Sequence, residues 1–290
     1  ISFDEEKLKD VLDHLSCMDE SKWTDSENAQ IKDYTKDGYE VQPEVYGTKI
    51  DKDAFTEKIK EALDKMQPEF DLSGEGCYED PKVKEEDDVF QDALDPLNKY
   101  TQMKITYQAE GKDDVVLDGE TISTWLSVDD DFNVSVDDEE LSAYVKAMAK
   151  NYNTAYGNRT LDTSYGQTVT IYGGNYGWWV DNAAEKEMIL EDLKAGKDVT
   201  REPVYSQTAN SHGENDYGNT YVEINLTAQH LFFYKNGSLV VESDFVSGNL
   251  AKNHGTPSGS FGVTYKAKDA VLRGEDYESP VSFWMPFNGG

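Results

Sequence analysis

At 290 residues the chain is long enough for two or three domains. A formal net charge of −31 and a mean hydropathy of −0.72 would suit disorder, but 5 Trp, 18 Tyr and 11 Phe argue for folded domains under an acidic, solvated surface. Such a surface repels nucleic acid and anionic lipid at long range; no basic patch, membrane-length apolar run or signal-peptide pattern is visible.

The chain opens Ile1-Ser2-Phe3 without a Met and reads as trimmed at its front. Leu8, Val11, Leu12 and Leu15 follow at helical spacing. A strand and turn then lead to Tyr46-Gly47, and Asp51 reads as the N-cap of a second helix carried by Phe55, Ile59 and Leu63. The charge run Lys82–Asp88 reads as an exposed connection. Next come the strands Ile105-Thr106-Tyr107 and Val115-Val116-Leu117, a short helix or turn around Ile122 and Trp125-Leu126, and the strand Val134-Ser135-Val136. Asp137 with Glu140 reads as a capping box that opens a helix carried by Leu141, Val145, Met148 and Tyr152. Asp181 then caps a helix with Ile189 and Leu193.

These segments form an internal repeat. Asp4–Leu8 aligns with Asp137–Leu141, Tyr46–Asp51 with Tyr176–Asp181, and Tyr78 with Tyr205, at an offset that drifts slowly along the chain. The polar, turn-rich run Ser206–Asp216 shows no apolar periodicity and places a boundary there.

The remaining residues are rich in β signals. Asn236-Gly237 between the runs Gln229–Tyr234 and Leu239–Val241 is a hairpin signal, because a two-residue type I′ turn needs positive φ at both central positions. Leu231 and Phe233 alternate with Phe232 and Tyr234 across the strand. Thr256-Pro257-Ser258-Gly259 suits a turn, and Phe261, Val263 and Tyr265 suggest a further strand.

Several residues admit both a chemical and a structural reading. Asp129, Asp131, Asn133, Ser135, Asp137 and Glu140 have the oxygen spacing of a calcium loop, but Val134 stands where that loop needs Gly; a turn followed by a capped helix is the competing reading. Tyr172, Tyr176, Trp178 and Trp179 form an aromatic cluster that suits either sugar stacking or an amphipathic strand with half its rings in the core. Thr48 and Lys49 stand where the second copy has Trp178 and Trp179. Cys17 and Cys77 suit either one disulfide or two unpaired, partly buried thiols. His14, His212, His230 and His254 lack metal-ligand spacing, so no metal or cofactor is expected.

The order of strands from Tyr221, the Asn236-Gly237 hairpin and the run Thr256-Pro257-Ser258-Gly259-Ser260-Phe261 resemble the start of the L,D-transpeptidase catalytic domain, the YkuD or ErfK/YbiS family. The duplicated part resembles the peptidoglycan-binding domain that often stands in tandem before it. The resemblance implies an α+β chain: two repeated α/β accessory units over 1–84 and 85–206, a linker over 207–218, and the first part of a β-rich catalytic domain over 219–290. It also implies that a cysteine thiolate attacks the amide after the third residue of a tetrapeptide stem and releases the terminal D-alanine. An amine of a neighbouring stem then resolves the acyl-enzyme. The family's His and its Ser-His-Gly-Cys-x-Asn run do not occur here, so both are expected beyond Gly290 and the 290 residues are expected to be inactive. Trp284, Phe287 and Asn288 are the residues expected to border the site. The implied partners are stem peptides and glycan strands of the wall, and the implied location is extracytoplasmic, with a membrane anchor upstream of Ile1. A non-catalytic wall- or partner-binding module is the alternative.

Overall fold

The structure is a computed structural model that describes residues 4–213, 215–274 and 277–288. Ile1 and Gly290, on which the expected anchor and missing catalytic residues hinge, lie outside the described residues.

Asp4 accepts hydrogen bonds from the amides of Glu6 and Lys7 and opens α1 (Glu5–Asp13). The strands β1 (Gln30–Ile31) and β2 (Val41–Gln42) pair antiparallel. Asp51 caps α2 (Lys52–Asp64), as its sequence position predicts. There follow α3 (Asp88–Thr101), β3 (Ile105–Tyr107), β4 (Val115–Leu117), α4 (Gly119–Ser123), β5 (Leu126–Val128) and β6 (Val134–Val136). Asp137 caps α5 (Asp138–Tyr152) through the amides of Glu139 and Glu140. Next are β7 (Arg159–Asp162), β8 (Thr168–Ile171), β9 (Trp179–Val180) and α6 (Asn182–Ala195), the last capped by Asp181. The chain continues through β10 (Val199–Arg201), β11 (Tyr205–Gln207), β12 (Tyr221–Asn225), β13 (His230–Lys235) and β14 (Ser238–Asp244). It reaches β15 (Ala267–Arg273) and β16 (Glu278–Trp284). The α+β class follows from this mixture.

The chain divides into two compact units, Ile1–Gln102 with Gly119–Val136, and Met103–Asp118 with Asp137–Gly290. In the first, Leu12, Ile50, Phe55 and Cys77 form a buried cluster bordered by Cys17, Trp23 and Phe70. Both cysteines are free thiols, and burial pushes the Cys77 thiol up from its ordinary value. Of the four apolar residues read as the face of the first helix, only Leu12 is fully buried; Val11 is 59% exposed, because α1 touches the cluster along a narrow line. Leu63 of α2 is likewise exposed, and Ala62 takes the buried place beside it. Helix α3 was not legible: Pro96 sits inside it, which sequence reasoning takes as a breaker, while Phe90, Ala93, Leu97 and Thr101 line its buried face. Phe132 lies edge-on against Phe90 at 4.8 Å. The Asp129 carboxylate is engaged in its own turn, accepting the amides of Asp131 (3.0 Å) and Asn133 (2.8 Å). Among the described residues no group of three or more His, Cys, Asp or Glu is placed to hold a metal ion.

In the second unit β10 runs parallel to β3, and β3 pairs antiparallel with β4. Helices α5 and α6 pack together and bury Leu141, Val145, Met148 and Tyr152 on one and Ile189 and Leu193 on the other. Glu185 of α6 is fully buried, and its charge is saturated. It accepts from Tyr107 Oη (2.6 Å), from Arg201 Nη1 (3.0 Å) and Nη2 (2.8 Å), and from the Val204 amide (2.7 Å).

The final strands form two sheets. Strands β12, β13 and β14 make an antiparallel meander, in which Asn236 (φ 50°) and Gly237 (φ 75°) provide the expected left-handed hairpin pair. Strands β15 and β16 form a separate antiparallel ribbon, and no closed barrel forms among the described residues. The strand expected at Phe261–Tyr265 does not form. The Thr264 amide donates to Pro286 O at 2.8 Å, but Pro286 has no N–H to return, so the ladder cannot continue there. For the same reason the run Phe283–Asn288 is strand only as far as Trp284. No helix among the described residues is long and apolar enough to cross a membrane.

Candidate functional site

The residues expected to border the site fall into two groups. Trp284 closes β16, and its indole Nε1 donates to Tyr265 Oη at 3.0 Å. Phe287 packs its ring against Phe261 at 5.6 Å. Asn288 is exposed. The structure therefore ties Trp284 and Phe287 to the segment that follows the Thr-Pro-Ser-Gly turn.

Trp178 and Trp179 separate, because successive strand residues point to opposite faces. Trp178 is 9% exposed, donates from Nε1 to Ser211 O (2.8 Å), and has His212 stacked on it at 3.8 Å and 12°. Trp179 is 42% exposed and meets the Tyr156 ring edge-on at 5.6 Å. Only Trp179 is available as a surface aromatic; Trp178 belongs to the core.

The segment just before β12 is anchored by charge. Arg159, at the start of β7, donates from Nε to Asp216 Oδ1 at 2.7 Å and from Nη2 to Oδ2 at 2.6 Å. Its other contacts are the carbonyls of Gly157 (3.3 Å), Thr154 (3.3 Å) and Tyr176 (2.9 Å). Thr154 Oγ1 adds a hydrogen bond to Asp216, and Tyr176 Oη donates to the Asp216 carbonyl. Both charged side chains are about 5% exposed or less. Burial is the main cause that pushes the Tyr176 phenol up.

Two further joints tie the region to the strands after it. Glu223 of β12 is buried and accepts the Ser164 amide (2.9 Å) and hydroxyl (2.6 Å) from the β7–β8 turn. Ser164 Oγ also meets Tyr234 Oη at 2.7 Å. The amide of Tyr176 donates to Ser260 O and that of Ser260 to Gly173 O, both at 3.0 Å. A Cβ on Gly174 would come within 2.0 Å of Ser260 O, so a glycine at 174 lets the two backbones meet.

None of Arg159, Asp216, Ser164 or Glu223 was singled out from sequence. One signal was present: the chain has three arginines among its 27 cations, and two of them, Arg159 and Arg201, form buried ion pairs that suit a planar guanidinium.

His230 on β13 faces two carboxylates of β14, with Nδ1 2.6 Å from Asp244 and Nε2 3.7 Å from Glu242. The hydrogen bond to Asp244 is the main cause that raises its pKa above the ordinary 6.5.

Comparison with known proteins agrees with this architecture. The family model for the Putative peptidoglycan binding domain matches residues 1–71 and 93–201, and that for the L,D-transpeptidase catalytic domain matches residues 219–290. The solved structure of the Ldtfm–avibactam carbamoyl enzyme is 31% identical, with a TM-score of 0.51 over 69% of this chain and 78% of that one. An Enterococcus faecium L,D-transpeptidase with a cysteine-to-serine substitution is also 31% identical, with a TM-score of 0.49 over 68% of this chain and 79% of that one. A search of curated proteins returned no match. The chain belongs to the L,D-transpeptidase family, with peptidoglycan-binding domains ahead of the transpeptidase part. Its substrate class is peptidoglycan, and it is associated with the cell wall.

Asp216→Asn keeps the shape of the joint but leaves Arg159 without its counter-charge. It should destabilise the second unit by about 3–5 kcal/mol in urea unfolding, whereas Asp129→Asn at an exposed turn should cost under about 1 kcal/mol. The His230 pair stabilises β13–β14 at pH below about 6.5, and that contribution is lost as pH rises through the higher folded value. An NMR titration should place the His230 midpoint above that of a free histidine, and Asp244→Asn should lower it.

Proposed function

We propose that this chain is the accessory region and the first part of the catalytic domain of a cysteine L,D-transpeptidase that cross-links stem peptides. The match over residues 219–290, joined to a relative whose structure is a carbamoyl enzyme formed with avibactam, carries the reading. A carbamoyl enzyme is a covalent adduct of the acyl type, as expected where a nucleophile attacks a carbonyl carbon. Cys17 and Cys77 do not suit the role. Cys77 is buried in the first unit's core, and its thiol is pushed up rather than down, which disfavours the thiolate. The thiol is therefore assigned to a segment that follows Gly290, with the backbone donors for its oxyanion. Exposed apolar positions support this: Leu239, Val240 and Val241 of β14 are each about half exposed, as suits a sheet completed by further strands. The domains follow the boundaries 1–84, 85–206 and 219–290, with 207–218 as a tethered linker. The protein works outside the cytoplasm, held by an anchor upstream of Ile1.

In the accessory region, Trp179 with Tyr156 is the surface that stacks on glycan strands. The observation favouring it is that Trp179 stays 42% exposed beside a second exposed ring, while its neighbour Trp178 is absorbed by the core.

A chain extended through a Ser-His-Gly-Cys run should exchange D-amino acids into muropeptides, and Cys→Ala in that run should abolish the exchange. The 290 residues alone should show none. Exchange that survives the Cys→Ala change, or that the 290 residues perform unaided, defeats the enzyme reading. For the accessory surface, Trp179→Ala should weaken co-sedimentation with insoluble peptidoglycan by about three- to tenfold. Unchanged sedimentation removes Trp179 from the binding surface.

A further inference from the structure

The two copies of the repeat serve as controls for one another. The bridge Ile50↔Tyr78 in the first repeats the pairing Val180↔Tyr205 in the second, so the alignment holds in the structure. From Asp51 to Lys58 and from Asp181 to Met188, buried and exposed positions succeed one another identically. Then the copies part. Leu193 of α6 is 1% exposed, whereas its counterpart Leu63 of α2 is 41% exposed. Ile189 and Leu141 are buried, whereas their counterparts Ile59 and Leu8 are only half-buried. Leu8, Ile59 and Leu63 lie within a turn of the ion pair between Glu5 of α1 and Lys60 of α2 (3.3 Å), at one end of that helix pair. An apolar face that is closed in one copy is open in the other.

The second copy shows what closes it. Both α2 and α6 are left through a left-handed residue, Met66 (φ 53°) and Gly196 (φ 64°). After Gly196 the chain forms β10, which pairs parallel with β3, and β3 pairs with β4. This sheet is tied to both helices. Arg201 of β10 reaches Asp192 and Glu185 of α6, Tyr107 Oη of β3 donates to Glu185, and Tyr152 Oη of α5 donates to Tyr107 O. Ile105 and Leu117, paired across β3 and β4, are fully buried. After Met66 the aligned residues Glu69-Phe70-Asp71 have no strand partner among the described residues. Leu8 stands too near the start of the sequence for a counterpart of Ile105–Leu117 to lie ahead of it within these 290 residues. The peptidoglycan-binding family model agrees, since it spans 93–201 in the second copy and 1–71 in the first.

We propose that the face of Leu8, Ile59 and Leu63 is the docking surface for a two-stranded antiparallel β-hairpin of the same polypeptide, supplied from ahead of Ile1, one strand of which pairs parallel with Glu69–Asp71. The chemistry of that hairpin differs from β3–β4 at one point. Phe55 stands where the second copy has Glu185, and it packs edge-on against Phe70 at 6.2 Å. No carboxylate waits there for a phenol, so the inward side of the hairpin is apolar throughout. Its backbone supplies the ladder that residues 69–71 lack. The proposal rests on the repeat and is independent of the thiol chemistry proposed above.

The test compares the 290-residue chain with the parent chain that includes its natural residues ahead of Ile1, by hydrogen exchange and thermal unfolding. The amides of Glu69–Asp71 should exchange at least about tenfold more slowly in the parent chain. Leu63→Ala should lower the melting temperature of the parent's first unit by several degrees and leave the 290-residue chain nearly unchanged. Leu63 is open to solvent in the shorter chain, so the variant folds there and serves as the reference. Three results would each overturn the proposal. One is equal exchange at residues 69–71 in the two chains. Another is an equal effect of Leu63→Ala in both. The third is protection of residues 69–71 in the 290-residue chain that rises with its concentration, which would make a second copy the occupant.

Discussion

A guanidinium taken out of water is the constraint around which the second unit is arranged. Removing Arg159 and Asp216 from solvent costs several kcal/mol for each ion, and only a fully engaged pair recovers it. Here the fork geometry of Arg159 meets both carboxylate oxygens, and its other N–H groups reach carbonyls of three different residues. Carboxylate and carbonyls together, these acceptors come from the turn after α5, from the approach to β9 and from the segment after β11. One side chain thereby sets the distance between three stretches of backbone. The run 207–218 has too little apolar surface to be held by burial, and it is held instead by hydrogen bonds that converge on Asp216. It then delivers the chain to β12 at a defined position, where Glu223 and Ser164 make the next joint.

The same solution recurs because the composition forces it. With 58 acids against 27 cations, most carboxylates must stay in water, and any that go inside need a dedicated partner. Glu185 has Arg201, Tyr107 and a backbone amide; Glu223 has a hydroxyl and an amide of Ser164; Asp216 has Arg159 and Thr154. Burial, and then the charge of Glu185, raise the Tyr107 phenol, so it stays protonated and keeps donating. Lys52, Lys60 and Lys84 meet their acidic partners on the surface, where such pairs contribute little. The penalty for losing a partner thus concentrates at the few inward-facing acids.

What could be read from the chain divides along the same line. Local signals were dependable: Asp51, Asp137 and Asp181 cap the helices they were assigned to, and Asn236-Gly237 makes its hairpin, because each acts within a few residues. The resemblance carried by the strands after Tyr221 and by the repeat reached the family. Long-range features were not legible. Nothing adjacent in sequence links Arg159 to Asp216 or Ser164 to Glu223. Helix α3 was hidden by Pro96, and the expected strand at Phe261–Tyr265 was defeated by a second proline, Pro286, across the gap. Amphipathic spacing also overstated burial in α1, since periodicity shows which residues share a face but not how much of that face finds a partner.

The paired tryptophans show how core and surface depend on one another. Adjacent in β9 and its approach, Trp178 and Trp179 cannot both face the same way, so a platform built from the two together is excluded by the pleat. The inward ring is clamped by Ser211, His212 and Tyr205. Its backbone carbonyl accepts the amides of Thr154 and Ala155, which fixes the turn that follows α5. That turn holds Tyr156 at φ 63°, a left-handed conformation rare for a bulky residue and kept only where its surroundings over-determine it. The outcome is that the Tyr156 ring stands against Trp179 on the outer face. The exposed pair is therefore positioned by the buried half of the same dipeptide, and loosening Trp178 would disperse the surface that Trp179 and Tyr156 present.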